Sequence, residues 1–360
     1  MNRSAKPWRM LLPLFTVLLL WGAWSVVWYV VSLTAQDKFA EWRKKSATKG
    51  LTLTCNEESW GGYPFRIEVV CDGFQLQKKN KASRIGFSFQ QVHAVAQAYK
   101  PWHIIFKLTA PLTVDLSRGA GPASTTQVKA EHEPSLASVV LKDRRNPDIS
   151  VLFEKISGKI TDQTGGTEFS LGQFQVEKLN LHGRIERELD AGKADYAVAA
   201  TAGALHYDGP LRDPADGGPI KVDALTFNGI AERLPLPLAA NLQKTLRGWA
   251  ANEGRLKINQ LELKQETITA RSNGFVTASQ EGQLNGKVKT AVLNLDKAID
   301  KMVSAGRLSE NDARISKGLF KMLSGNNPNG EVVTDFRIKN GKLYFGPFRL
   351  LKLAPLFTSN

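Results

Sequence analysis

From Met10 to Ala35 the chain carries no charged side chain, and Leu, Val and Trp dominate its 26 positions. At about 1.5 Å per residue this length crosses the hydrocarbon core of a bilayer with some tilt. Arg3, Lys6 and Arg9 precede it, and Trp8 and the Trp28-Tyr29 pair suit interfacial belts. Pro13 lies close enough to one end to be tolerated. A cleaved signal peptide is the competing reading. Against it, the apolar run is too long, and Leu33-Thr34-Ala35 has a bulky residue where a small one is preferred. The expected order is a cytoplasmic N-terminus over 1–9, a transmembrane helix over 10–35 and a helical stalk over 36–50. The stalk follows from Asp37–Lys49, which holds helix formers without Gly or Pro until Gly50 stops it.

Beyond Gly50 the period changes to two. Leu51–Phe74 (LTLTCNEESWGGYPFRIEVVCDGF) places strand-forming runs on either side of Gly61-Gly62-Tyr63-Pro64. Folded symmetrically about Tyr63, the hairpin sets Cys55 directly opposite Cys71. Leu51, Leu53 and Cys55 then share one face, as do Phe65, Ile67, Val69 and Cys71. That spacing suits a disulfide, worth roughly 3 kcal/mol for a loop of this length; two buried free thiols are the alternative. Two extended runs within Arg84–Leu116 meet at Lys100-Pro101, with Val92, Ala94, Ala96 and Ala98 alternating against His93, Val95, Gln97 and Tyr99. Ser117–Thr126 reads as a loop. Strands are expected over Val128–Val140, Ile149–Ile160, Glu168–Asn180 and Tyr196–Tyr207.

Asp208–Pro219, rich in Pro and Gly, suggests a boundary between a β-rich half over 51–215 and a second over 216–360. The second half predicts a strand over Ile220–Asn228, a helix over Leu236–Trp249, and a meander through Arg255–Leu263, Thr267–Arg271, Gly274–Ala278 and Gln283–Leu295. Helical spacing follows in Asp296–Ala305 (Ile299, Met302, Val303) and Ser309–Leu323 (Ile315, Leu319, Met322, Leu323), the latter opened by the capping box Ser309-x-x-Asp312. Ser324–Gly330 reads as a polar turn. Val332–Lys339 alternates Thr334, Phe336 and Ile338 with Asp335, Arg337 and Lys339, and Asn340-Gly341 is a hairpin signal before Lys342–Phe345. The fold class is α+β and mostly β: a transmembrane helix, then a large antiparallel body, curved sheet or sandwich, with a few amphipathic helices on it.

Charge adds a direction. The net charge is +14, but 51–253 is balanced. Residues 1–50 carry eight Lys/Arg against two Asp/Glu, and 254–360 carry 17 against nine. The C-terminal third therefore suits an anionic partner such as lipid headgroups, a glycolipid or an acidic protein, unless it is simply a solvated basic face. Lys38, Arg43, Lys44 and Lys45 follow the span, so the positive-inside count is nearly balanced. The cysteine hairpin breaks the tie: a disulfide places the body on the oxidising side, the periplasm of a Gram-negative bacterium, with the anchor in the inner membrane.

Three segments together resemble a family of bacterial single-span proteins, the domain-of-unknown-function family numbered 2125: GGYPFRIEVVCDG with its preceding Cys55, YKPWHIIFKLTAPL (Tyr99–Leu112) and NGKLYFGPFRLLKLAPL (Asn340–Leu356). The tail, with its helix pair and preceding strands, also resembles the C-terminal portion of AsmA-like proteins. That likeness implies a role in envelope lipid homeostasis or transport, and it carries over no catalytic residue.

Chemistry-bearing patterns are sparse. His93, His103, His132, His182 and His206 are dispersed and make no HExxH or Cys-x-x-Cys spacing. Glu131-His132-Glu133 reads as a solvated turn or strand end, and Asp143-Arg144-Arg145 with Asp148 as an ion-paired loop. With no Walker pattern, no Gly-x-Ser-x-Gly elbow and both cysteines in the bridge, no catalytic, cofactor or metal residue is nominated, and the expectation is not an enzyme. Basic–aromatic neighbours (Phe336-Arg337, Tyr344-Phe345, Phe348-Arg349) read as core packing, not nucleic-acid stacking. Two functions stay open. One is a trough holding acyl chains with a basic surface for headgroups; the other is a closed scaffold for other envelope proteins.

Overall fold

The computed structural model describes residues 8–79, 83–118, 125–143, 146–164, 167–190, 192–236, 242–324, 331–345 and 348–357. The apolar stretch and the stalk form one helix, α1 (Trp8–Thr48). Ten strands follow: β1 (Leu51–Thr54), β2 (Glu57–Gly61), β3 (Arg66–Lys79), β4 (Ser83–Gln97), β5 (Lys100–Arg118), β6 (Thr125–Glu131), β7 (Ser135–Asp143), β8 (Asn146–Thr164), β9 (Thr167–Leu189) and β10 (Lys193–Asp208). Next come β11 (Ile220–Pro235), α2 (Leu242–Ala251), β12 (Arg255–Gln265), β13 (Ile268–Ala278) and β14 (Leu284–Leu293). Helices α3 (Leu295–Ser304) and α4 (Glu310–Ser324) precede β15 (Val332–Lys339), β16 (Lys342–Phe345) and β17 (Phe348–Lys352).

The 17 strands among the described residues form one antiparallel sheet in which, β1–β2 and β6–β7 aside, each pairs with its neighbour in sequence. Two positions hold broken strands: β1 and β2 lie end to end along β3, and β6 and β7 lie end to end between β5 and β8. The sheet runs without interruption through the Asp208–Pro219 loop, because β10 and β11 pair from Lys193/Pro235 to Tyr207/Ile220. Thr267–Arg271 and Gly274–Ala278, read as two strands, are one, β13. The helix expected over Leu236–Trp249 begins at Leu242 among the described residues; 237–241 lie outside them, as does most of Ser324–Gly330.

A line of ladder interruptions crosses the sheet. Pairing jumps over Gly73 and Gln90 between β3 and β4, and over Gln90 and Ala110-Pro111 between β4 and β5. It jumps over Lys155 and Glu177 between β8 and β9, and over Ala204 with Glu177 and then Asp223 between the next pairs. The gap between β6 and β7, His132-Glu133-Pro134, and the gap Cys55-Asn56 between β1 and β2 fall on the same line. Gly73, Lys155 and Ala204 take positive φ there (62°, 47° and 45°). At Gly73 a side chain would also overlap the Asn56 amide. Each residue that leaves the ladder here resets the alternation of its strand, so inward side chains stand three apart: Phe89/Val92, Phe153/Ile156, Val176/Leu179 and Ala202/Leu205. These residues, with Phe74, Leu108, Leu112 and Leu225, are the main core.

The disulfide forms, Cys55 to Cys71 with Cα atoms 5.3 Å apart, but not through the symmetric register. Cys71 faces Glu58 in the ladder, because the hairpin centres between Pro64 and Phe65, not on Tyr63. Cys55 reaches it by leaving the ladder at the gap between β1 and β2, where the Asn56 amide bonds Asp72 O at 2.8 Å. Phe65 belongs to the turn and is exposed, not on the Ile67–Cys71 face.

Along the β1–β2 edge lies α1. Phe39 packs on Trp60, Arg43 pairs with Glu58, and Lys78 Nζ donates to Lys49 O at 2.6 Å. Near the far end of the sheet, α2 buries Trp249 and Ala250 against Ala278 and Phe357. In α3 Ile299 is buried as its spacing predicts; in α4 Ala313 is buried and Ile315 is exposed, so the helix turns a different face inward than expected. The side chains of Leu319, Met322 and Leu323 lie outside the described set. The capping box is present: the Asp312 amide donates to Ser309 Oγ at 3.1 Å, and Ser309 Oγ donates to Asp312 Oδ2 at 2.6 Å.

Replacing both Cys55 and Cys71 with Ser is expected to lower unfolding free energy by about 3 kcal/mol, since the bridge closes a short loop. The urea midpoint of the oxidised protein and of the double variant measures it; equal midpoints would contradict a stabilising staple at this gap.

Candidate functional site

The inner face of the sheet, the side carrying the core, runs from β8 to β15 through Phe153, Leu179, Ala202, Leu225, Leu263, Ala270, Val292 and Val332 in register. No second sheet opposes it, since every described strand belongs to the one sheet. The chain exposes 23,296 Å², against about 14,000 Å² for a compact globule of this mass. Helix α2 covers part of the C-terminal third. On β8–β10, beyond the crease toward the β2–β3 turn, the same face is left open: Ile149 (43% exposed) and Val198 (38%) flank Gly183 from either side, and Leu181 (42%) stands two residues from Gly183 on the same strand.

His132 projects onto this inner face. Its ring sits edge-on to Phe89 and Phe153, centroids 6.1 and 5.2 Å away. Nδ1 lies 2.7 Å from Glu133 O and 3.1 Å from Ser135 Oγ, while Nε2 is buried with no partner among the described residues. Glu131-His132-Glu133 is the end of β6 with both carboxylates exposed, as its pattern suggests, but its imidazole is buried: His132 keeps the inward parity of Ala130. Pro134 has no amide for the ladder, and the strand breaks there. Glu133 stays outside, 2.6 Å from Lys155 Nζ.

On the outer face, folding unites two of the histidines that look dispersed. His103 Nε2 is 3.1 Å from Ser138 Oγ, and His182 Nδ1 is 2.7 Å from Ser150 Oγ. Ser138 and Ser150 are cross-strand neighbours, so all four line one shallow groove of about 390 Å³ with Ile105, Leu136 and Leu152. The signal was available in the alternation of 136–140 and 148–152, but only with the register known. The residues lining this groove include no Asp or Glu. Among the described residues no group of three or more His, Cys, Asp or Glu is placed to hold a metal ion.

The basic residues of the C-terminal third converge on the outer face. Lys257, Phe275, Lys287, Arg337 and Tyr344 occupy one row across β12–β16, and Arg349 of β17 follows. Arg255, Lys289 and Lys339 flank it. Glu232 pairs with Arg255 and Asp335 with Lys287; Lys257, Lys289 and Lys339 have no acidic partner among the described residues. A groove of about 570 Å³ runs between Phe275, Lys287, Arg337, Lys339 and Tyr344. Tyr344 is thus not core packing but part of this basic row, whereas Phe336 alternates inward; the side chains of Phe345 and Phe348 lie outside the described set.

Where the Asp208–Pro219 loop meets α3, Lys301 Nζ lies 3.0 Å from Asp216, 3.3 Å from Glu266 and 3.4 Å from the buried Asp213. Burial opposes its charge. Bonds to Asp216 and Glu266 and the field of Asp213 outweigh that and hold the ammonium above the usual lysine range. Asp216 is held below the usual carboxylate range, first by the Gly218 amide and then by Lys301.

The described chain is thus a mostly β protein: an apolar N-terminal helix, long enough and apolar enough to cross a membrane, laid along one edge of a large antiparallel sheet with a disulfide at that edge. The chain belongs to the family described as "Uncharacterized protein conserved in bacteria (DUF2125)", whose model matches residues 28–354. Comparison with curated proteins finds no match.

Lys301→Met should cost about 2 kcal/mol, because Asp213 loses its cation while staying buried. Asp216 has its folded pKa depressed, so its contribution is present above the ordinary carboxylate pKa and lost as pH falls through the folded value. Thermal melts from pH 7 down to pH 3 should show a shallower acid limb in the variant than in the parent. Identical limbs would contradict the linkage.

Proposed function

We propose that this is a non-enzymatic protein of the bacterial envelope, anchored in the inner membrane by α1 with its β body in the periplasm, whose inner sheet face binds the acyl chains of a lipid. The observation that carries the reading is the uncovered apolar face at Ile149, Leu181 and Val198, continuous with the core at the crease. Covering one acyl chain is worth about 0.8 kcal/mol per CH₂, so partial coverage suffices for retention. The basic row on the outer face supports an anionic headgroup or glycolipid as the polar contact. Its likeness to AsmA-like proteins in the tail points the same way, toward envelope lipid homeostasis. The disulfide supports the oxidising compartment. An uncleaved anchor is supported by the bonds that α1 makes to the body, from Trp21 to Lys49.

A scaffold for other envelope proteins is the second reading. It draws on β17, which pairs on one side only among the described residues.

Native mass spectrometry of the full chain released from membranes should find residues 1–35 retained and lipid bound. Leu181→Lys with Val198→Lys should lower lipid occupancy several-fold at an unchanged melting temperature, since both side chains are exposed. Parent protein that emerges without lipid would end the lipid reading and favour the scaffold.

A further inference from the structure

Three tryptophans of α1, Trp21, Trp24 and Trp28, fall at i, i+3 and i+7 and form one stripe. Each donates its indole N–H to the β2–β3 turn. Trp21 Nε1 bonds Tyr63 Oη at 2.6 Å, Trp24 Nε1 bonds Pro64 O at 2.8 Å, and Trp28 Nε1 bonds Arg66 O at 2.7 Å. Ser25 Oγ lies 2.7 Å from the same Tyr63 Oη. The Trp28 and Tyr63 rings meet edge-on at 5.2 Å, and Trp24 faces Phe65 at 6.2 Å.

These contacts fix a depth. Ahead of Trp21, the exposed apolar helix from Leu11 to Leu20 reaches only about 15 Å, half of a hydrocarbon core of about 30 Å. The rest of the span must come from the helix segment that bears the turn. With Arg9 held at the opposite surface, the near boundary falls around Trp28 to Val30, and tilt moves it further along the chain. We therefore propose that the β2–β3 turn and the adjoining β4–β5 turn sit in the body-side interface of the bilayer that α1 crosses.

The chemistry of the turns fits that occupant. Tyr63 (47%), Phe65 (60%), Tyr99 (61%) and Trp102 (46%) are exposed at this end, and the Ala98 amide bonds Phe65 O at 2.8 Å, tying the two turns together. Aromatic residues of this kind collect at the headgroup level. The carbonyls of Pro64 and Arg66 are satisfied by indole N–H groups, as backbone entering a medium poor in water requires. Arg66, paired with Glu68, has an exposed side chain free to extend toward headgroups. The seat rests on reading α1 as a span and is independent of whether the inner face holds lipid.

The test places the photoreactive residue p-benzoylphenylalanine in the full chain, reconstituted in vesicles of phosphatidylethanolamine and phosphatidylglycerol. The four variants are Leu18→benzoylphenylalanine, Phe65→benzoylphenylalanine, Tyr99→benzoylphenylalanine and Leu211→benzoylphenylalanine. Leu18 reports the span itself, and Leu211 lies in the loop at the opposite end of the sheet. Irradiation is expected to give lipid adducts at Phe65 and Tyr99 in yield comparable with Leu18, and none at Leu211. Adducts at Leu18 alone overturn the seat while leaving the span intact. No adduct anywhere overturns the span and the seat together, and adducts at all four positions overturn the seat by showing contact without depth.

Discussion

From β3 to β11 every strand gives up its ladder at the same line, and the architecture depends on that alignment. At most of these steps one residue on each strand leaves the ladder together, so the register is kept while the alternation of both strands resets. Inward side chains on either side of this line pack together, and the cluster around Phe89, Val92, Phe153, Ile156, Val176 and Ala202 is the result. Left-handed backbone at Lys155 and Ala204 costs roughly 1 kcal/mol each. The burial gained by a core side chain, about 1.5–3 kcal/mol, exceeds that. A core is thus assembled from one sheet, with no second layer required.

The same device explains what is left uncovered. The reset gathers side chains near its line and does little for those several residues away, so Ile149, Leu181 and Val198 keep the inward parity of the core without its burial. In the C-terminal third, where the line of interruptions has run off the sheet edge at Asp223, helices take over: α2 covers Leu256, Ala278 and Leu284, and Lys301 of α3 locks the loop before β11 to the turn before β13. In the C-terminal third the outer face carries Lys257, Lys289 and Lys339, without acidic partners among the described residues, while the inner face stays apolar.

Much of this was legible in the sequence. The long apolar N-terminal helix, the antiparallel order, the Asn340-Gly341 hairpin, the capping box and the cysteine pair all follow from local patterns. Each depends on neighbours within a few positions. The crease was not legible, because Phe153-x-x-Ile156 and Val176-x-x-Leu179 look like lapses in alternation until the flanking strands show the same three-residue step. His132 keeps the inward parity of Ala130 two residues before it, and the exposed carboxylates of Glu131 and Glu133 on either side are what make the segment read as solvated. The His103–His182 groove and the basic row arise from cross-strand register, which pairs residues far apart in the chain. The offset of Cys71 from Cys55 has the same origin, since a gap in one strand is invisible when a hairpin is counted symmetrically.

An open sheet of this size leaves two edges, and unpaired edges recruit further strands. The β1–β2 edge is occupied by α1, through Phe39 on Trp60 and Arg43 with Glu58, and is pinned to β3 by the disulfide. At the other edge β17 is short and exposes Arg349 and Lys352, charges that disfavour a further strand. The chain then leaves that edge: the Leu356 amide bonds Gly282 O at 2.8 Å, and Phe357 is buried against Trp249. Strand addition is the simplest way for such a sheet to hold partner proteins, and both edges are built against it. The face, not the edge, is therefore the surface this fold leaves available for binding, which is the physical reason to prefer a lipophilic ligand over a scaffold.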